Sequence, residues 1–255
     1  GTARDIDEIG AAIVDIRKRI AACKCANLDN LQVEFIVPRN LLCCQIEHWQ
    51  WKVGRRNEKL GVLHPAVLRS FERAYDQELD DTRDSWQSKW RLLQDPAQLS
   101  QDSIVWAPAV EPADQKNTLS ARLMRREVVC LALTSPPLGV PDNALTDAIE
   151  TSFDAGVPAV VWLHETTALQ RSESEAGQSA EVEAMQARQQ QLREELTQQD
   201  IRELPNWAHE RRRDAAERPA QKGIGSNLKV LWDAPDRPPP DACIQRESSG
   251  KRSTK

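Results

Sequence analysis

The stretch that most constrains this chain is Ala155-Gly156-Val157-Pro158-Ala159-Val160-Val161-Trp162-Leu163-His164. Its apolar run, residues 157–163, is rich in β-branched side chains and does not alternate with polar ones. A strand with one wet face would alternate; an unbroken run belongs inside a parallel sheet covered on both faces. Gly156 supplies the turn into it, and Pro158 stands at the first position, where a missing N–H is tolerated. A second such run, residues 127–133, is cut off by Thr134-Ser135-Pro136-Pro137. Between the two, Asp142 caps a helix whose apolar face is Leu145, Ala148, Ile149 and Phe153. Strand, helix, strand in this order is a βαβ unit with a right-handed crossover. The fold class that follows is α/β: a mainly parallel sheet of about four to five strands with helices on both faces.

The remaining segments fill in that frame. Residues 31–37 alternate as a strand that Pro38 stops, residues 41–51 read as irregular with Trp49 and Trp51 as anchors, and residues 52–59 read as polar and exposed. Pro65 opens a predicted helix carrying Val67, Leu68, Phe71, Ala74, Tyr75 and Leu79 at helical spacing. Trp86, Trp90 and Leu93 form a second helical stripe, ended by Pro96, and residues 104–106 are a short strand. Residues 170–199 shift to Gln, Glu, Ser and Ala; Val182, Met185, Leu192 and Leu196 mark a helix preceded by a flexible loop at 172–179. Residues 204–218 are a further helix with Trp207 facing inward, and residues 228–232 are the last strand.

At the start of the chain Ile6, Ile9, Ile13, Ile16 and Ile20 fall on one helical stripe. So short a helix needs something to pack on, and docking on the adjoining domain is preferred to a seam with a partner helix. The organisation is therefore a docking helix at 1–27, an α/β domain at 28–241 with a Gln/Glu-rich insert at 170–199, and a disordered tail at 242–255. The first residue is Gly, which predicts a piece of a longer protein.

Net charge of −5 speaks against a nucleic-acid partner. No apolar run approaches a membrane span and no signal peptide opens the sequence. Of the six cysteines, Cys23 and Cys25, and Cys43 and Cys44, are too close to bridge each other without strain, and no zinc or redox spacing is present. They read as reduced structural thiols of a cytoplasmic protein with no metal and no cofactor. Eight Trp stand against one Tyr and three Phe, so indoles supply much of the large-residue packing.

Ligands of open parallel sheets sit beyond the carboxyl ends of the strands. There the sequence offers Thr134 and Ser135, His164 and Glu165, and Asp233 and Asp236 as a rim for a ligand or partner. Ser, His and Asp together invite a hydrolase reading, but Ser135 precedes two prolines instead of opening a helix, and His164 precedes Asp233. No catalytic set is assigned. Residues 222–226 look glycine-rich yet precede a strand, so they read as a turn, and no Walker A loop exists. His48, His64 and His209 read as satisfied structural or surface groups, Arg211-Arg212-Arg213 as a solvated helix face, and Trp86 and Trp90 as core.

Taken in order, several segments resemble one known family. They are Val33-Glu34-Phe35-Ile36-Val37-Pro38-Arg39-Asn40-Leu41-Leu42 with Trp49, and Leu60-Gly61-Val62-Leu63-His64-Pro65-Ala66-Val67-Leu68-Arg69-Ser70. Trp86 and Trp90, Ala155-Gly156-Val157-Pro158 with Trp162, and Leu231-Trp232-Asp233-Ala234-Pro235-Asp236-Arg237 complete the set. The family is the C-terminal domain of the vWA-MoxR associated proteins (VMAP-C), and the likeness runs from about Leu31 to Asp241, departing at the 170–199 insert. The resemblance implies a place beside a MoxR-type AAA ATPase and a vWA-domain protein in bacterial conflict or antiphage defence. It also implies an effector, such as a trypsin-like protease, fused or recruited, and it carries no catalytic residue set. The expectation is a non-catalytic sensing or scaffolding domain. Two alternatives stand beside it: a hydrolase using the strand-end rim, and a protease substrate or autoinhibitory segment cut within 172–179.

Overall fold

A computed structural model describes residues 31–42, 44–53, 56–75, 80–109, 116–134, 147–164, 175–219 and 223–237. The isoleucine stripe, Ser135, Glu165, the Asp142 cap and the 242–255 tail lie outside them. The strands are β1 (Val33–Val37), β2 (Gln50–Val53), β3 (Arg56–Lys59), β4 (Ala66–Ser70), β5 (Ile104–Ala107), β6 (Cys130–Leu133), β7 (Ala159–Leu163) and β8 (Leu228–Trp232). The α-helices are α1 (Leu60–Leu63), α2 (Phe71–Tyr75), α3 (Asp80–Gln94), α4 (Lys116–Leu123), α5 (Asp147–Asp154), α6 (Glu175–Gln198) and α7 (Leu204–Glu217).

Six strands form one sheet in the order β1-β4-β8-β7-β6-β5, and β2 pairs with β3 in a separate antiparallel hairpin. The α/β class holds, with one strand more in the main sheet than the upper expectation. β5, β6 and β7 are parallel neighbours, as the βαβ pattern requires, and β4 is parallel to β8. Every residue of β4, β6, β7 and β8 is buried, which is why none of these runs alternates. β8 lies beside β7 but runs against it. The Asp233 N–H, just past the end of β8, donates to the Pro158 carbonyl before the start of β7 at 2.9 Å. The His164 N–H, past the end of β7, donates to the Asn227 carbonyl before β8 at 2.7 Å.

Two local readings need correction. Residues 66–70 are a buried strand, not the start of a helix from Pro65; of the described part of that stretch, Phe71–Tyr75 is helical. The buried polar side chains Arg69 and Ser70 hid the strand, and apolar residues of β4 and α2 together mimicked one helical stripe. Residues 50–53, expected to be irregular at 50–51 and polar and exposed at 52–53, form β2; the alternation of Gln50, Trp51, Lys52 and Val53 ahead of Gly54 was the available signal. The helix in the Gln/Glu-rich insert is real and begins at Glu175, inside the stretch expected to be loop. Leu192 and Leu196 are fully buried, and Gln190 and Gln191 donate to Glu194 and Glu195 one turn on, so amide–carboxylate pairs support its polar face.

The chain groups into two compact units, the first comprising Gly1–Phe35, Cys43–Val67 and Leu163–Val230, the second Ile36–Leu42, Leu68–Trp162 and Leu231–Lys255. In the first unit the hairpin is amphipathic: Trp51 packs with Leu60 and Ala66 and against Val33, Phe35 and Leu63, while Gln50 and Lys59 pair across its other face. In the second, Ala148, Ile149 and Phe153 of α5 are buried. Gly156 there has φ +71°, and an added Cβ would come within 2.6 Å of the Trp86 amide nitrogen, so both its handedness and its smallness are required.

Candidate functional site

Of the residues expected to share a rim, Asp233 stands apart from Thr134 and His164. β6 and β7 are parallel, so Thr134 and His164 follow strand ends on one edge; Asp233 bonds to Pro158, at the opposite end of β7. The reason is the path into β8. Two helices, α6 and α7, separate it from β7, and two passes return the chain to the side it left, so β8 enters antiparallel. Thr134 and Asp236 are exposed, His164 is half-buried, and Asp233 is fully buried.

Asp233 anchors a closed polar cluster in the second unit. Its Oδ1 accepts from the Ser70 amide at 3.2 Å, and it lies 3.7 Å from Arg69 Nε and 3.6 Å from Arg73 Nη1. Arg69 donates to the carbonyls of Ala234 and Arg237 at 2.8 and 2.9 Å. Arg73 donates to the carbonyls of Val157 and Phe153 at 2.8 and 2.9 Å and stacks over the rings of Phe153 and Trp86. The Trp86 indole donates to the Asp233 carbonyl at 2.9 Å. Burial pushes the Asp233 carboxyl up to about 6 and Arg73 down to about 10 against their mutual attraction. These groups tie loops to strand ends; Asp233 is structural.

The first unit holds a polar cluster of a different kind. Lys229 interrupts the apolar sequence of β8 and is buried, so it needs a partner. Its Nζ donates to Glu47 Oε2 at 2.6 Å and to the Cys44 carbonyl at 2.5 Å, and burial lowers its pKa despite Glu47. His48, on the same 3₁₀ turn as Glu47, has Nε2 2.7 Å from the Ser226 carbonyl and Nδ1 2.9 Å from the Gln45 side chain. Its pKa is lowered chiefly by burial, opposed by Glu47. His164 is lowered by burial and then by Lys229, so it belongs to the same field although it was expected on a rim with Asp233.

Arg212 corrects another expectation. Only Arg211 and Arg213 reach solvent; Arg212 is buried, donating at 3.0 Å each to the carbonyls of Ala66 and Leu228. His209 bonds the Gly61 carbonyl at 3.0 Å, as expected of a satisfied structural histidine. Gly61 and Gly225 are forced: a Cβ on Gly61 would lie 2.8 Å from the Glu47 Cβ, and one on Gly225 would lie 1.8 Å from the Arg211 carbonyl.

Above this cluster opens a cavity of about 420 Å³. Its walls are the polar face of the hairpin (Gln50, Asn57, Glu58, Lys59), α1 through Val62, the last turns of α7, and Ser226. Sequence reading missed it because its walls come from segments far apart in the chain. The one legible signal was Lys229, a charge inside a buried strand.

Among the described residues no group of three or more His, Cys, Asp or Glu could hold a metal ion, and no helix is long and apolar enough to cross a membrane. Cys44 and Cys130 are free thiols, and burial pushes Cys130 up to about 12. A family model, the vWA-MoxR associated protein C-terminal domain, matches residues 2–235. No curated protein and no solved structure matches the chain.

Proposed function

The chain belongs to the vWA-MoxR associated protein C-terminal domain family, and from this premise we propose that it is a non-catalytic sensing or scaffolding domain of an NTP-dependent bacterial conflict system. It acts beside a MoxR-type AAA ATPase and a vWA-domain protein and controls a fused or recruited effector such as a trypsin-like protease. The observation that supports a binding role over a hydrolytic one is how the polar side chains are spent. His48, His209, Arg212 and Lys229 each hold a backbone carbonyl, and Asp233 is sealed among arginines. The hollow above the first unit's cluster is instead walled by exposed Gln50, Asn57 and Lys59. The cleavage alternative is weakened because residues 175–179 are helical, and a protease needs extended chain.

The test is affinity capture from cells of the native host, using the full-length protein with and without this domain. Domain-dependent recovery of the neighbouring ATPase and vWA protein is expected. Equal recovery without the domain would overturn the docking role.

A further inference from the structure

The cavity meets a second, smaller hollow of about 140 Å³; Ala215 and Gly225 line both. The second hollow continues past α7 to Gln191 of α6, with Arg211 and Arg218 on its wall. Both lie within the first unit. Their charges do not cancel. Glu47 is answered by Lys229 at 2.6 Å, and Asp214 by Arg211 at 3.3 Å. That leaves Lys59, Arg212 and Arg218 facing one further carboxylate, Glu58. Arg212 is turned to two carbonyls, so its charge has no carboxylate in contact among the described residues. Arg211 also meets Glu195 at 3.4 Å, so among the described residues one positive charge is in excess, on a chain of net charge −5.

The shape narrows the ligand. Lys59 lines only the larger hollow and Arg218 only the smaller, so they do not converge on one compact anion such as phosphate. Between them lie small apolar side chains and glycine. The amides of Gln50, Asn57 and Gln191 offer donors and acceptors suited to main-chain peptide groups. We propose that the joined hollows along α7 hold an extended acidic peptide segment of a protein partner, with its carboxylates set between Lys59 and Arg218. This deepens the docking role proposed above by assigning it a surface and a partner chemistry. Charge complementarity of this kind sets encounter and register, and it weakens with salt.

The test is fluorescence anisotropy of the intact chain with a labelled ten-residue peptide of alternating Glu and Gly, and with its Lys-Gly counterpart. The Glu-Gly peptide binds and the Lys-Gly peptide does not; affinity falls at least tenfold in Lys59→Glu/Arg218→Glu and again on raising salt to about 0.5 M. Both positions are exposed, so the double variant keeps its fold, checked by an unchanged thermal midpoint. Arg91→Glu, in the second unit, leaves binding unchanged. Equal binding of the two peptides, or full binding by the double variant, overturns the proposal. Capture of the ATPase and vWA protein by the double variant separates the two claims. Capture that needs the domain but survives the charge reversal leaves the docking role standing and removes this surface from it. Capture that does not need the domain removes the role itself.

Discussion

Both units bury a carboxylate with cations, yet they do so to different ends. In the second unit Asp233 is met by two arginines at 3.6 to 3.7 Å, and these donate to the carbonyls of five other residues. Nothing is left to face outward. In the first, Glu47 and Lys229 close on each other at 2.6 Å, directly beneath a cavity open to solvent. The contrast separates a staple from a platform. Arginine's planar fork can grip several carbonyls at once, whereas a lysine–glutamate contact is compact and leaves the surrounding wall free.

The largest effect that would sharpen this contrast comes from Arg73. Arg73→Ala removes three carbonyl bonds and half the charge around Asp233, and the expected loss is about 3–5 kcal/mol of unfolding free energy in urea. A loss under about 1 kcal/mol would break the staple assignment. Next is Lys229→Met, which strands Glu47 and costs about 3 kcal/mol, while Lys229→Met/Glu47→Leu recovers most of it. A double-mutant cycle reads that coupling, and additive losses would show the pair to be independent. Gly225→Ala forces the 3₁₀ turn Ile224–Asn227 away from the Arg211 carbonyl and costs about 1–3 kcal/mol. Because Gly225 lines both hollows, it also weakens binding of the Glu-Gly peptide, read by the same anisotropy titration.

The two regions also predict opposite pH slopes. The folded pKa of Asp233, about 6, lies above its ordinary 3.8. Between those values the folded chain keeps a proton that the unfolded chain has released, so this stability is lost as pH rises through the window. The slope is at most about 1.4 kcal/mol per pH unit. His48, His164 and His209 are all shifted below 6.5, chiefly by burial. Below that pH the unfolded chain binds the extra protons, so their contribution is lost as pH falls. Urea unfolding from pH 4 to 7 should therefore show a steeper acid loss in Asp233→Asn than in the parent. Identical profiles would contradict the raised carboxyl. The smallest effect belongs to Trp162→Phe. The Trp162 indole N–H is buried with no hydrogen-bond partner among the described residues, so losing it offsets part of the lost ring area. The expected change is within about 1 kcal/mol by thermal unfolding, and a larger loss would mean that the ring's volume dominates.

The sequence by itself determined the α/β class, the parallel β6-β7 pair, the turn at Gly156 and the inward faces of Trp86, Trp90 and Trp207. Each of these rests on a local pattern: an unbroken apolar run, a helical stripe, a glycine before a strand. It also carried the family, through short segments whose order is specific. What only the tertiary structure decided was direction and proximity. β8 has the composition of a parallel strand, and nothing in Leu228-Lys229-Val230-Leu231-Trp232 records that two helical passes deliver it antiparallel to β7. That one reversal moves Asp233 away from Thr134 and His164. The cavity likewise gathers Glu47, Lys59, Arg212 and Ser226 from segments up to 179 positions apart, where periodicity has no reach. Lys229 alone pointed there, because a buried ammonium must find a carboxylate, and only the packed chain shows which one.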